Sequence, residues 1–145
     1  MSIRRTSHAV YELKYHIVWV PKYRAHILGG EVAQYLEEIF NRIAEEYGFW
    51  VEIMVVKEDH VHIFIEAPPR YSPARMVQIL KSISAREMYK KFPKMRKEMW
   101  SGEIWNDGYF IRSVGDKATA DMMKKYIEYQ KHDNDSIQLK MFEHP

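Results

Sequence analysis

Apolar and polar positions alternate along "YELKYHIVWV", placing Tyr11, Leu13, Tyr15, Ile17 and Trp19 on one face of a first strand that Pro21 ends. The pattern then changes period. In "GGEVAQYLEEIFNRIAEEYG" the apolar residues Val32, Leu36, Ile39, Ile43 and Tyr47 recur at helical spacing, and Gly48 supplies a C-terminal stop. "FWVEIMVVK" predicts a second strand with Val51, Ile53 and Val55 on one face. A few polar residues around Glu58 and Asp59 separate it from "HVHIFIEA", the spacing of a hairpin. After "PPRYSP", Ser72 caps a second helix with Pro73 at its first position and Met76, Val77, Leu80 and Ile83 as its stripe. That helix ends before Pro93, and the basic segment 94–103 reads as a loop. "EIWNDGYFIRSVG" predicts a fourth strand with a turn at Asn106, Asp107 and Gly108, and a last helix runs from about Thr119 to Lys131.

The order β-α-β-β-α-β plus one helix predicts an α+β fold: the ferredoxin-like (RRM-like) split βαβ arrangement, a four-stranded antiparallel sheet with two helices on one face. Strands one and three then lie together in the middle, and the extra helix is available for the open face. The 145 residues predict one domain over 1–145, with a core of about 9–131 and a polar tail of about 132–145.

Alternation also fixes the chemistry of the third strand. Val61, Ile63 and Ile65 share the face that packs on the helices, so His60, His62, Phe64 and Glu66 share the open one. Two imidazoles roughly 7 Å apart along a strand can chelate one cation, or can be half-exposed polar residues on a sheet face. The polar face of strand one adds His16 nearby. Two histidines need a further ligand. In "KKYIEYQ", Tyr126 and Gln130 lie four residues apart on one helical face, so a last helix docked on the open face would bring an amide oxygen and a phenol to the pair. Tyr129 points about 100° away from Gln130.

Composition narrows the classes. No cysteine is present, which excludes disulfides, thiolate zinc sites and cysteine nucleophiles. No secretory or membrane-spanning pattern appears, and a soluble cytoplasmic protein with no membrane partner is expected. Net charge is only +2, but cations cluster: Arg4, Arg5, Lys14, Lys22 and Arg24 near the N-terminus, and Lys81, Arg86 and Lys90 on the second helix. These are candidate contacts to a polyanion backbone, with aromatics beside them able to stack bases.

"DHVHIFIEAPP" is a histidine–hydrophobic–histidine (HUH) motif, and "YIEYQ" follows it with Tyr-x-x-x-Gln. With "KYHIVWVPKYR" and "WNDGYFIRSVG" in matching order, the chain resembles the single-tyrosine HUH transposases of the insertion-sequence 200/605 family of bacteria and archaea. The resemblance implies that Tyr126 is the nucleophile and that His60, His62 and Gln130 bind a divalent metal, magnesium or manganese. It implies a substrate of single-stranded DNA bearing hairpins at transposon ends, cleaved to a 5′-phosphotyrosine link and a free 3′-hydroxyl and then rejoined. It implies a homodimer whose active sites are completed in trans; in the sequence, Gly115 and "DKATAD" are compatible with a flexible tether for the last helix or with a simple strand-to-helix turn. His16, Asp59 and Glu66 are candidates for orienting the metal ligands. A phenol of ordinary pKa about 10 is a weak nucleophile at neutral pH, and a cation on the scissile phosphate offsets that weakness. The alternatives are a domesticated transposase acting on palindromic repeats, a non-catalytic single-stranded nucleic-acid-binding module, and a phosphoesterase that uses water and never traps protein on DNA.

Overall fold

The computed structural model describes residues 3–98, 103–115 and 117–130, apart from the side chains of residues 98, 117–120, 123 and 130. The strands and α-helices among these residues follow in chain order. A short ladder pairs β1 (Arg4–Arg5) with β2 (Val10–Tyr11). Then come β3 (Lys14–Trp19), α1 (Gly30–Tyr47), β4 (Trp50–Lys57) and β5 (His60–Glu66). α2 (Pro73–Lys91), α3 (Pro93–Glu98), β6 (Phe110–Val114) and α4 (Lys117–Gln130) complete the chain. The main sheet is antiparallel throughout, in the order β4-β5-β3-β6. The predicted split βαβ is therefore present, with β3 and β5 at its centre.

The two faces are chemically distinct. Ile17, Trp19, Val61, Ile63 and Ile65 point toward α1 and α2, where they join Leu36, Ile39, Phe40, Ile43, Met76 and Leu80 in the main core. Trp19 sits at its centre, edge-on to both Phe40 and Trp105, and Trp105 Nε1 donates to Ser84 Oγ at 3.0 Å. Local chemistry sets the helix ends as the sequence predicts. Gly48 closes α1 at φ 75°, a left-handed conformation that costs glycine little. Ser72 Oγ accepts the Arg75 N–H at the start of α2, with Pro73 following the cap.

Four expectations are corrected. The first strand is shorter than its alternation implies, because β3 begins at Lys14 and Tyr11 belongs to the separate β1–β2 ladder. Pro93 starts a further short helix, α3, whose Met95 is buried against the main core, where the sequence suggested a loop. Most of "DKATAD" is the first turn of α4 rather than a tether, consistent with the helix-favouring alanines Ala118 and Ala120. The last correction concerns β4. The register slips between Val51 and Ile53, so Glu52 is an inserted residue. Val51 faces the main core, and Ile53 and Val55 face the opposite side.

Candidate active site on the open sheet face

α4 lies across the open face, over β4 and β5. Its buried Ile127 packs with Val55, Phe64 and Val114, and Ile53 flanks this second, smaller core. An ion pair from Lys124 Nζ to Glu52 Oε2, at 3.2 Å, anchors the helix on the other side. The bulge explains the placement, since an inserted Glu52 can meet both Lys124 and the buried Lys14, whose Nζ lies 3.1 Å from Glu52 Oε1. Burial would push the Glu52 carboxyl up, but the hydrogen bonds from Lys14 and Lys124 outweigh it and hold the group below its ordinary range. Ile127→Ala should therefore loosen the helix more than the fold. Expected are faster amide exchange across α4 and a melting temperature close to wild type. Exchange measured by mass spectrometry checks this, and protection of α4 equal to wild type would contradict it.

This docking brings three rings together. His62 is fully buried at the middle of β5. The Tyr126 ring centroid lies 6.5 Å from it, with the planes inclined by 53°. His16, on neighbouring β3 and also fully buried, meets His62 Nε2 with its own Nε2, the ring centroids lying 4.2 Å apart. Burial, helped by the nearby Arg112, lowers the His16 pKa to about 4. An imidazole held neutral in this way leaves one nitrogen with a lone pair.

His60 is ordered by its sequence neighbour. Its Nδ1 lies 3.1 Å from Asp59 Oδ1, so that nitrogen carries the proton and donates it. Nε2 is then left with a lone pair, and it is buried with no hydrogen-bond partner among the described residues. Burial lowers the His60 pKa despite the opposing pull of Asp59. Burial alone would raise the Asp59 carboxyl, but His60, Arg24 and His26 together hold it low. Among the described residues no group of three histidine, aspartate or glutamate side chains is arranged to hold a cation. Gln130 ends α4, and its side chain lies outside the described residues.

The other sequence candidates divide. Glu66 is at the far end of β5, where Arg4 Nε donates to its Oε1 at 2.9 Å, so it does not reach the imidazoles. Arg4 also covers the exposed Trp50 ring at 3.7 Å. Lys14 is buried on Glu52. Lys81 spends its ammonium on the carbonyls of Asn106, Asp107 and Gly108, fixing the turn before β6. Lys22 pairs with Glu103, Arg24 with Asp59, and both Arg86 and Lys90 with Glu87. Arg5 is exposed. Sequence reasoning missed Arg112, an exposed cation whose partner across the ladder is His16. Its signal was available in "FIRSV", where Arg112 alternates with Ile111 and Ser113 on the same face as Phe110.

Known proteins share the sequence pattern and the fold of this chain. The sequence pattern of the family described as "Transposase IS200 like" matches residues 9–130. The chain belongs to that family. The ISDra2 transposase TnpA of Deinococcus radiodurans is 40% identical over 126 residues, covering 87% of this chain and 89% of the relative. The transposase for insertion sequence element IS200 of Salmonella typhimurium is 30% identical over 128 residues, covering 86% and 80%. A crystal structure of a Deinococcus radiodurans protein described as a transposase superposes with a TM-score of 0.71 at 34% identity, over 88% of this chain and 98% of the other. A REP-associated tyrosine transposase bound to a REP hairpin shares the fold, with a TM-score of 0.54 at 18% identity. The protein is thus a single-tyrosine HUH transposase of the IS200/IS605 family, and His60 and His62 form its HUH pair. Among the described residues no helix is long and apolar enough to cross a membrane.

Proposed function

We propose that this transposase cleaves and rejoins single-stranded DNA at hairpin-bearing transposon ends, with Tyr126 as nucleophile and a divalent cation held by His60 and His62. The observation that carries the reading is the meeting of the Tyr126 phenol with the buried His62 of the HUH pair, on the sheet face that α4 covers. The fit to a cation rests on His60. Its Nδ1–H is committed to Asp59, and its Nε2 is a buried lone pair without a partner among the described residues. Two imidazoles with Gln130 as an oxygen donor suit magnesium or manganese in a site that keeps open positions for phosphate. When bound, the cation would draw charge from a non-bridging phosphate oxygen.

The chain's own residues do the rest. The Tyr126 hydroxyl gives up its proton to solvent and its oxygen forms a bond to phosphorus as the bond to the 3′-oxygen breaks, and the 3′-oxygen takes up a proton from solvent and leaves as a hydroxyl. α4 holds the phenol in line, and the apolar packing around Ile127 keeps water from competing. Arg112, exposed beside His16, is placed to meet a phosphate of the incoming strand. The surface cations Arg5, Lys22, Arg86 and Lys90 are candidates for the hairpin backbone.

The working unit we propose is a homodimer. Within one chain α4 already lies on its own sheet. Because the same helix face would fit a partner's identical sheet, exchange of α4 between protomers would complete the sites in trans with the same contacts.

A denaturing gel tests the chemistry. Protein incubated with hairpin-bearing single strands and magnesium or manganese should migrate as a covalent adduct. Chelation should slow adduct formation about 100-fold or more, and added manganese should restore it. Binding without any adduct would favour a non-catalytic module, and release of cut product without adduct would favour a hydrolase.

A further inference from the structure

We infer that Arg24 is a positioning residue for the metal ligands, acting through Asp59 on His60, and is not a DNA contact. The inference rests on the reading of His60 as a ligand. The carboxylate of Asp59 divides its two oxygens: Oδ1 accepts from His60 Nδ1 at 3.1 Å, and Oδ2 lies 3.4 Å from Arg24 Nη2. A carboxylate held at one oxygen can still rotate about its side-chain bonds. One held at both fixes the plane in which the imidazole must lie, and so the direction of the His60 Nε2 lone pair.

The backbone around Arg24 argues the same way. Tyr23 and Arg24 both adopt left-handed conformations, at φ 61° and φ 50°, and neither is glycine. Such residues persist only where the surroundings over-determine them, and they gather at functional sites. Here the surroundings are visible. Pro21 is buried and bridges to Trp105, the Lys22 N–H donates to the Ile104 carbonyl at 2.8 Å, and the Arg24 N–H donates back to Pro21 at 2.8 Å. The strained turn points the Tyr23 ring outward, 63% exposed, and returns Arg24 to the β4–β5 hairpin that carries Asp59. A half-exposed cation whose only task was to meet phosphate would need no such turn.

Among the described residues His26 is a further basic neighbour of Asp59. His26 Nε2 lies 3.9 Å from Oδ2, but its ring is 69% exposed and its Nδ1 faces Glu58 at 3.5 Å. That contact with Asp59 is longer, and the His26 side chain more exposed than that of Arg24, at 39%, so Arg24 is the partner better placed to set the carboxylate.

The test compares Arg24→Ala, Arg24→Lys and Asp59→Asn with wild type and with His60→Ala. Two readouts are independent of turnover. The first is manganese affinity of the DNA-free protein, from the paramagnetic resonance signal of unbound manganese. Arg24→Ala and Asp59→Asn are expected to weaken it about 10- to 100-fold, the usual effect of losing a partner of a ligand, with Arg24→Lys between them and wild type. The second is hairpin-strand binding in chelator across a salt series. Its slope should be the same for Arg24→Ala as for wild type, whereas loss of a phosphate contact would lower the slope by about 0.7. Manganese affinity unchanged in Arg24→Ala but lost in His60→Ala overturns this inference alone, as does a lowered salt slope. Manganese affinity unchanged in His60→Ala overturns the metal reading and the inference with it. Asp59→Asn keeps the test decisive if the strained turn fails to fold without Arg24.

Discussion

Tyr126→Phe is expected to remove the covalent adduct completely while leaving hairpin binding within about threefold of wild type. The substitution deletes one oxygen. The phenyl ring still fills the place 6.5 Å from His62, and Ile127 still seats the helix, so nothing that positions DNA changes. What is lost is the oxygen proposed to form the bond to phosphorus, and if Tyr126 is the nucleophile no partial activity from the same route survives that loss. Tyr129 is the internal control. It stands three residues along the same helix, 65% exposed, and Tyr129→Phe should form adduct at the wild-type rate. The pair separates a nucleophile from a general need for phenols on α4. Adduct persisting in Tyr126→Phe, or vanishing in Tyr129→Phe alone, would move the nucleophile elsewhere.

The site was legible in the sequence where one physical rule fixed side-chain direction. Strand alternation assigned His60 and His62 to the face opposite Ile63 and Ile65, and that face is the one α4 covers. Helical spacing likewise set Tyr126 apart from Tyr129. The amphipathic stripe of α4 said that the helix must dock. Its landing place depended on Ile53, and on a bulge that nothing in "VEIMV" announces, because a glutamate rather than a glycine occupies the inserted position. The same slip created the Glu52 anchor for Lys124, which no reading of β4 as a regular strand would find.

Cations were harder to read than imidazoles, for a physical reason. A lysine or arginine in sequence carries a charge but not a destination. Arg4, Lys14 and Arg24 come from one basic stretch, yet each turns toward a different carboxylate, on Glu66, Glu52 and Asp59. Each carboxylate lies 35 or more residues from its cation along the chain and meets it only through the tertiary fold. A basic cluster therefore overstates the number of charges free for DNA. The contact of His16 with His62 is also a product of register: Val18 stands opposite His62 and Phe64 opposite His16, which leaves the two rings diagonal neighbours on one face.

His60→Ala should separate chemistry from recognition. Adduct formation is expected to fall about 1000-fold or more, since loss of a partner of a ligand alone costs about 10- to 100-fold and this removes the ligand itself. Hairpin affinity should remain within a few-fold of wild type, because His60 is only 3% exposed and offers a folded strand little surface. Melting temperature must be read alongside, since the change also empties a buried volume and strands Asp59 beside Arg24 without its imidazole. If melting holds while adduct disappears and binding stays, the imidazole acts on the scissile phosphate and not on DNA docking. Equal loss of adduct and hairpin binding in a folded variant would mean that the pair helps to grip the strand, and the division between a catalytic face and a recognition surface would have to be redrawn.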